Sequence, residues 1–133
     1  MQPEDYRFSI RLTVRDYEVD YQGIVNNSNY LRYMEHTRHE FCRHEGLPLA
    51  YMHQRGIDPV LSHADLTFLS PLHMGDEFVS CLNVERKGPR FIFFQDIFKI
   101  DGTPVAKGAI TIACMENGRL SRGDVLAEAF NLK

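Results

Sequence analysis

An α+β fold, with an antiparallel sheet covering one long helix, is predicted by three features of the chain. A strand with strictly alternating apolar residues opens it, a single long amphipathic segment follows, and four strand-like segments divided by turn residues fill the second half. A length of 133 residues suits one domain spanning positions 1–133, large enough to bury a single core and too short for a separate cofactor domain.

The elements follow in order. Phe8, Ile10, Leu12 and Val14 alternate with Arg7, Ser9, Arg11, Thr13 and Arg15, the period of two expected of a strand with one buried face. Tyr30, Tyr33, Met34, Thr37 and Phe41 recur at helical spacing, while Arg32, Glu35, His36, His39 and Arg43 take the other side. Asn27 or Ser28 is expected to cap this helix, since either side chain can accept from the free N–H groups of the first turn. Glu45-Gly46-Leu47-Pro48 ends it, with glycine placed for the C′ position and proline just beyond. Leu49 to Gln54 adds a short helical turn, broken again by Gly56-Ile57-Asp58-Pro59.

Strands are then expected over Val60 to Leu69, Glu77 to Arg86, Phe91 to Ile100 and Val105 to Met115. The separators are Ser70-Pro71, Gly75-Asp76, Gly88-Pro89 and Asp101-Gly102, the last read as a two-residue hairpin turn. Gly108, inside the last strand and among Ala106, Ala109 and Ala113, predicts close backbone approach or a bend. Asn117-Gly118 makes a turn, and Asp124 is placed to cap a short terminal helix through Phe130.

Composition excludes several classes. Fifteen basic against eighteen acidic residues leave a net charge of −3, so no basic excess points to nucleic acid or an anionic membrane. The first residues lack a charged leader with an apolar core, and no stretch is apolar for the length of a span, so a soluble, cytoplasmic protein is expected. Cys42, Cys81 and Cys114 are odd in number and widely spaced among apolar residues, which reads as reduced core thiols.

Between the first strand and the long helix lies Asp20-Tyr21-Gln22-Gly23-Ile24-Val25-Asn26-Asn27-Ser28-Asn29-Tyr30. This turn delivers Asp20 close to a helix N-terminus. Unpaired N–H groups and the positive end of the helix dipole can stabilise an oxygen that becomes negative during acyl transfer. A carboxylate beside such a site is half of a hydrolase, although each of these residues taken singly is an ordinary turn or capping residue.

Their order resembles the hotdog-fold acyl-CoA thioesterases of the 4-hydroxybenzoyl-CoA thioesterase-like superfamily. Asp20 to Val25 is similar to the Asp-x-x-Gly-Ile/Val-Val segment of the 4-hydroxybenzoyl-CoA and small acyl-CoA branch. Val25-Asn26-Asn27 with Tyr30 is similar to the His-Val-Asn-Asn-x-x-Tyr segment of long-chain acyl-CoA and plant acyl-carrier-protein thioesterases. Ile24 stands where the second branch has a histidine, and Asn27 where many relatives of the first have a histidine or an aromatic residue. The similarity runs through the helix to Arg38 and more loosely to about residue 116.

The resemblance implies a sheet curled around a central helix, and hydrolysis of an acyl-CoA thioester to a free acid and CoA. In that reading Asp20 acts as nucleophile or as general base, and the backbone N–H of Asn27, helped by Ser28, binds the carbonyl oxygen. Gly23 leaves room for the thioester, while Asn29 and Tyr30 shape the pocket. No cofactor is required, because a thiolate is a competent leaving group. The resemblance also implies sheets joined edge to edge in a homodimer, itself paired into a homotetramer, with Asp20 near the interface.

Other polar clusters occur along the chain. Arg86-Lys87-Gly88-Pro89-Arg90 crowds cations around one hairpin; such clusters are mostly solvated surface, whereas the resemblance assigns Lys87 and Arg90 to the CoA phosphates. His36, His39 and Glu40 share a helix without an evident third ligand and are read as a polar face, not a metal site. The resemblance implies for Glu35 a role in holding neighbouring residues and the subunit contact, and His63 and His73 are read as strand or loop residues. Two other functions keep the fold: an acyl-carrier-protein thioesterase and a non-catalytic module that binds acyl-CoA. A dehydratase is disfavoured because the Asp20 turn carries no histidine.

Overall fold

The computed structural model describes residues 2–133. Strand β1 (Phe8–Thr13) leads through a 3₁₀ turn (Asp16–Glu18) to helix α1 (Asn27–His44) and the short α2 (Leu49–Gln54). Strands β2 (Ile57–Phe68), β3 (Glu77–Lys87), β4 (Arg90–Lys99) and β5 (Pro104–Glu116) follow, then the short β6 (Arg119–Leu120) and α3 (Asp124–Ala129). The sheet order is β1-β3-β4-β5-β2, antiparallel throughout, with β6 added beside β5. This is the hotdog arrangement, and the α+β expectation holds.

The apolar stripe of α1 fills the curl of the sheet. Tyr30, Tyr33, Met34, Thr37 and Phe41 are all buried, with Met34 and Phe41 fully so. Phe41 meets Phe93 of β4 and Phe130 beyond α3, at ring-centroid distances of 6.1 and 5.0 Å. Burying one such ring contributes up to about 3 kcal/mol. Gly108 confirms the close approach expected of it, because a Cβ there would lie 2.7 Å from the Met34 sulfur and 2.9 Å from Leu66. A bulge between Leu61 and His63 interrupts the β2–β5 ladder, a device that adds twist and helps a sheet curl.

Polar side chains pin the helix to the sheet. Thr37 Oγ1 donates to the Tyr33 carbonyl at 2.8 Å and lies 2.7 Å from Ser80 Oγ on β3. Arg38 Nη1 donates to Gln95 Oε1 on β4 at 2.9 Å, and Gln95 Nε2 donates to the Met34 carbonyl at 2.9 Å.

Several expected boundaries shift. Strand β2 starts at Ile57, not Val60: Pro59 pairs in register with Cys114 on a strand whose outer edge carries no partner among the described residues, where its missing N–H costs little. The two-residue hairpin turn is Gly88-Pro89, with Lys87 opposite Arg90 and Gly88 at φ +60°, whereas Asp101-Gly102 sits in a longer loop between Lys99 and Pro104. The cap of α3 is Gly123, and Asp124 is its first residue, ion-paired to Arg86 at 2.6 Å. The three cysteines are free and buried, as expected. Burial pushes the Cys42 thiol up to about 11 and Cys81 up to about 12. No described helix is long and apolar enough to cross a membrane.

Candidate active site

The loop from Val19 to Val25 closes on itself. Val19 and Val25 form a bridge, the Asp20 N–H donates to the Ile24 carbonyl at 2.8 Å, and the Gly23 N–H donates to the Asp20 carbonyl at 2.9 Å. Gly23 is needed for its backbone, at φ +80°. Beyond its own chain neighbours no atom of the described residues lies within 4 Å of where its Cβ would stand, which leaves open space above it.

Asp20 is half-buried, and its two oxygens differ. Oδ1 accepts from the N–H groups of Gln22 at 2.8 Å and Ile24 at 3.4 Å, which fixes the carboxylate plane. Oδ2 accepts from no group among the described residues. The turn thus orients one free carboxylate oxygen.

Helix α1 starts immediately after. Its cap is Asn26, not Asn27 or Ser28: Asn26 Oδ1 accepts from the Ser28 N–H at 3.0 Å and from Ser28 Oγ at 2.9 Å. Ser28 is thereby occupied with the cap. The Asn29 N–H donates to the Asn26 carbonyl at 2.9 Å, which leaves the Asn27 N–H without an acceptor among the described residues. The first turn of α1 holds no acid, so the positive end of its dipole stays free for an incoming anionic oxygen. Because Val19 and Val25 are a bridged antiparallel pair, with Cα atoms about 4.5–5.5 Å apart, Asp20 and the helix start are neighbours across the loop.

Glu18 organises this junction, a role the sequence did not reveal. Its carbonyl accepts from the Asn26 N–H at 3.1 Å and from Asn29 Nδ2 at 2.8 Å, and its carboxylate accepts from the Tyr33 hydroxyl at 2.9 Å. Asn29 therefore holds the helix to the loop. Tyr30 is buried, accepts from the Leu72 N–H at 3.2 Å, and stacks against Phe68 at 5.4 Å. Burial raises the Tyr30 phenol above its ordinary range, and burial with the Glu18 contact raises that of Tyr33, so both stay protonated, Tyr33 as donor to Glu18 and Tyr30 as acceptor from Leu72.

Lys87 and Arg90 lie elsewhere. The start of β3 adjoins the Asp20 loop through the Ile24–His73 bridge and the Met74 N–H, which donates to the Gly23 carbonyl at 3.2 Å. Lys87 ends the same strand, ten residues and about 33 Å further on at strand rise. Within one protomer the hairpin and Asp20 are at opposite ends of the sheet. Arg86 is engaged with Asp124, whereas Lys87 and Arg90 are exposed. Arg122 and Lys133 line a cleft of about 410 Å³ with Arg86 beside that turn.

Two clefts flank α1. One, of about 250 Å³, lies on the β1 side between Arg15, Asn29, Arg32 and His36. The other, of about 80 Å³, lies on the β2 side beneath Glu35, Arg38, His39 and Cys42. Among the described residues no cluster of His, Cys, Asp or Glu could hold a metal, and His36 is exposed while His39 is half-buried.

A description of the thioesterase-like superfamily matches residues 14–130. The chain belongs to that superfamily. It is a thioesterase of the hotdog fold. It is 38 % identical to acyl-acyl carrier protein thioesterase ATL3 of Arabidopsis thaliana over 92 residues, 68 % of this chain and 48 % of that protein. A hypothetical protein from Aquifex aeolicus superposes with a TM-score of 0.86 at 37 % identity, covering 92 % of this chain and 98 % of the other. A 1,4-dihydroxy-2-naphthoyl-CoA thioesterase from Synechocystis superposes at 0.83 with 19 % identity, covering 93 % and 92 %. That last likeness concerns the fold.

Proposed function

We propose that this thioesterase cleaves acyl-CoA at the N-terminus of α1, releasing a free carboxylic acid and CoA. The observation that carries this reading is a carboxylate with one oxygen tied into its own turn and the other free, beside a helix N–H that lacks an acceptor. The thioester carbonyl docks on the Asn27 N–H, over the open face of Gly23. As the carbonyl carbon becomes tetrahedral, its oxygen turns anionic and gains from the N–H and the helix dipole more than the ground state did.

Asp20 drives the attack by one of two routes. As general base it takes a proton from water, the hydroxyl adds to the carbonyl carbon, and collapse expels the CoA thiolate. As nucleophile its Oδ2 adds directly, the thiolate leaves, and water then hydrolyses the mixed anhydride. Asn29 and Tyr30 hold the walls of the site, and Ser28 serves through the cap.

The nucleotide of CoA is longer than the loop that holds the thioester. Lys87 and Arg90 contact its phosphates only if a partner subunit brings its own hairpin to this Asp20, given the strand length between them in one chain. A homodimer joined at the outer edge of β2 supplies that geometry. Val60, Leu61, Phe68 and Leu69 stand 44–50 % exposed along that edge, and an unpaired edge recruits a partner strand.

An acyl-carrier-protein substrate is the second reading, favoured by the plant relative's name and identity. Thiol release from aromatic, short-chain and long-chain acyl-CoAs, beside the same acyl groups on carrier protein, tests both. Turnover of free CoA esters supports the first. Turnover confined to the carrier replaces it, and binding without turnover means a non-catalytic module.

A further inference from the structure

Arg38 is the one basic residue of α1 that the helix turns inward. It is 7 % exposed, on the apolar stripe between Met34 and Phe41. Its only hydrogen bond among the described residues is from Nη1 to the neutral Gln95 amide, and no carboxylate lies within ion-pair distance. A buried cation is normally paired with an anion.

The remaining guanidinium nitrogens are not sealed in the core. Among the described residues no fully buried polar side-chain atom lacks a partner, so the unbonded nitrogens of Arg38 reach accessible space. That space is the cleft on the β2 side of α1. Its volume is about 80 Å³, several times the roughly 10–15 Å³ one water needs by the same measure. Leu49, Leu61, Phe93, Ile112 and Phe130 wall it with apolar surface. Glu35 also lines it, exposed to solvent; its carboxylate favours the Arg38 charge from beyond ion-pair distance. The cleft thus has apolar walls and one inward-facing guanidinium, with the Glu35 carboxylate solvated beside it.

We propose that this cleft receives the far end of an acyl group bearing a second carboxylate, held by the Arg38 guanidinium. The thioesters preferred are then monothioesters of dicarboxylic acids. The chemistry fits the surroundings: methylenes lie against the apolar walls, and the planar carboxylate matches the fork of N–H donors that Gln95 leaves free. The inference rests on the reading that the thioester sits at the start of α1. Arg38 is eleven residues from Asn27, about 16 Å along the helix axis, and its side chain leans back toward that N-terminus. An extended acyl chain of medium length has the reach for that distance.

The test compares decanoyl-CoA with the mono-CoA thioester of decanedioic acid, in the wild type, Arg38→Met and Arg38→Lys, with light scattering alongside. The wild type is expected to favour the carboxylate-ended substrate by about tenfold in kcat/KM. Arg38→Met, which removes the cation, should bring the ratio of kcat/KM between the two substrates from about ten to about one. Arg38→Lys should fall between them, and it keeps the test available if the Met variant does not fold. Equal rates on both substrates in the wild type would overturn the proposal. So would equal loss on both in Arg38→Met, or dissociation of that variant, since either marks Arg38 as structural. If no thioester is turned over, the proposed reaction fails separately. Calorimetric titration with free decanedioate and decanoate then decides: binding of the diacid to the wild type and not to Arg38→Met is expected, and its absence refutes the cleft's role.

Discussion

Asp20→Asn replaces the free carboxylate oxygen with an amide and leaves the shape of the turn almost unchanged. The amide oxygen can still accept from the Gln22 and Ile24 N–H groups that Oδ1 now serves, at 2.8 and 3.4 Å. What is lost there is the charge assistance of one good bond and one long one. A bond to a charged group contributes about 1.5–3 kcal/mol and a neutral one about 0.5–1.5, so the folding cost is on the order of 1 kcal/mol. Turnover should suffer far more. Loss of a general base removes about 10²–10⁴-fold, equivalent to roughly 3–5 kcal/mol of barrier, and loss of a nucleophile at least as much. Thiol release under saturating acyl-CoA measures kcat, urea unfolding measures the stability term, and calorimetry with a non-hydrolysable thioether analogue measures binding. A variant with unchanged binding, a small stability loss and turnover near the wild-type rate would remove Asp20 from the mechanism. Single turnover in ¹⁸O-water, followed by mass analysis of the peptide carrying Asp20, tests the nucleophilic route: label in the carboxylate marks attack of water on the Asp20 carbonyl of the mixed anhydride, which the general-base route never forms.

The cap and the oxyanion donor can be told apart by neighbouring substitutions. Asn26→Ala should cost about 1 kcal/mol of stability, because its Oδ1 holds both Ser28 donors, whereas Asn27→Ala should leave stability and kcat nearly intact. A large kcat loss in Asn27→Ala at normal stability would assign its side chain a direct role. For the hairpin, Lys87→Glu with Arg90→Glu should raise KM for acyl-CoA and leave kcat alone, the mark of remote uniform binding. Mixing Asp20→Asn chains with this double variant should restore normal KM in a share of sites if hairpin and Asp20 meet across a dimer; no restoration would refute the shared site. Finally, burial holds the His39 imidazole below its ordinary 6.5, assisted by Arg38, His36 and Arg43 and opposed by Glu35. A depressed histidine contributes its stability fully above about pH 6.5 and loses it as pH falls from there toward the folded value. Urea midpoints at pH 7.5 and 5 should therefore differ more in the wild type than in His39→Gln, and identical differences would exclude the effect.

Local chemistry was enough to read the elements and the reactive turn. The alternation around Ile10, the helical spacing from Tyr30 to Phe41 and the breakers Gly46, Pro48 and Gly88 act over a few residues, and the elements they predict are present. Gly108 was legible too, because a glycine inside a strand has few uses other than close approach. The cap lies one residue before Asn27 and two before Ser28, since all three side chains can accept and the backbone that places Asn26 is set by the folded loop. The role of Glu18 was invisible for a similar reason: it works through its carbonyl, and every residue has one. Arg38 was marked only by its place on the apolar stripe, while Gln95, its acceptor, stands 57 residues away on β4. The separation of Lys87 and Arg90 from Asp20 belongs wholly to the tertiary structure, because strand length becomes distance only once β3 is laid straight along the sheet. Sequence determines what each segment can do alone; which of those segments share a site depends on pairings whose partners lie tens of residues apart.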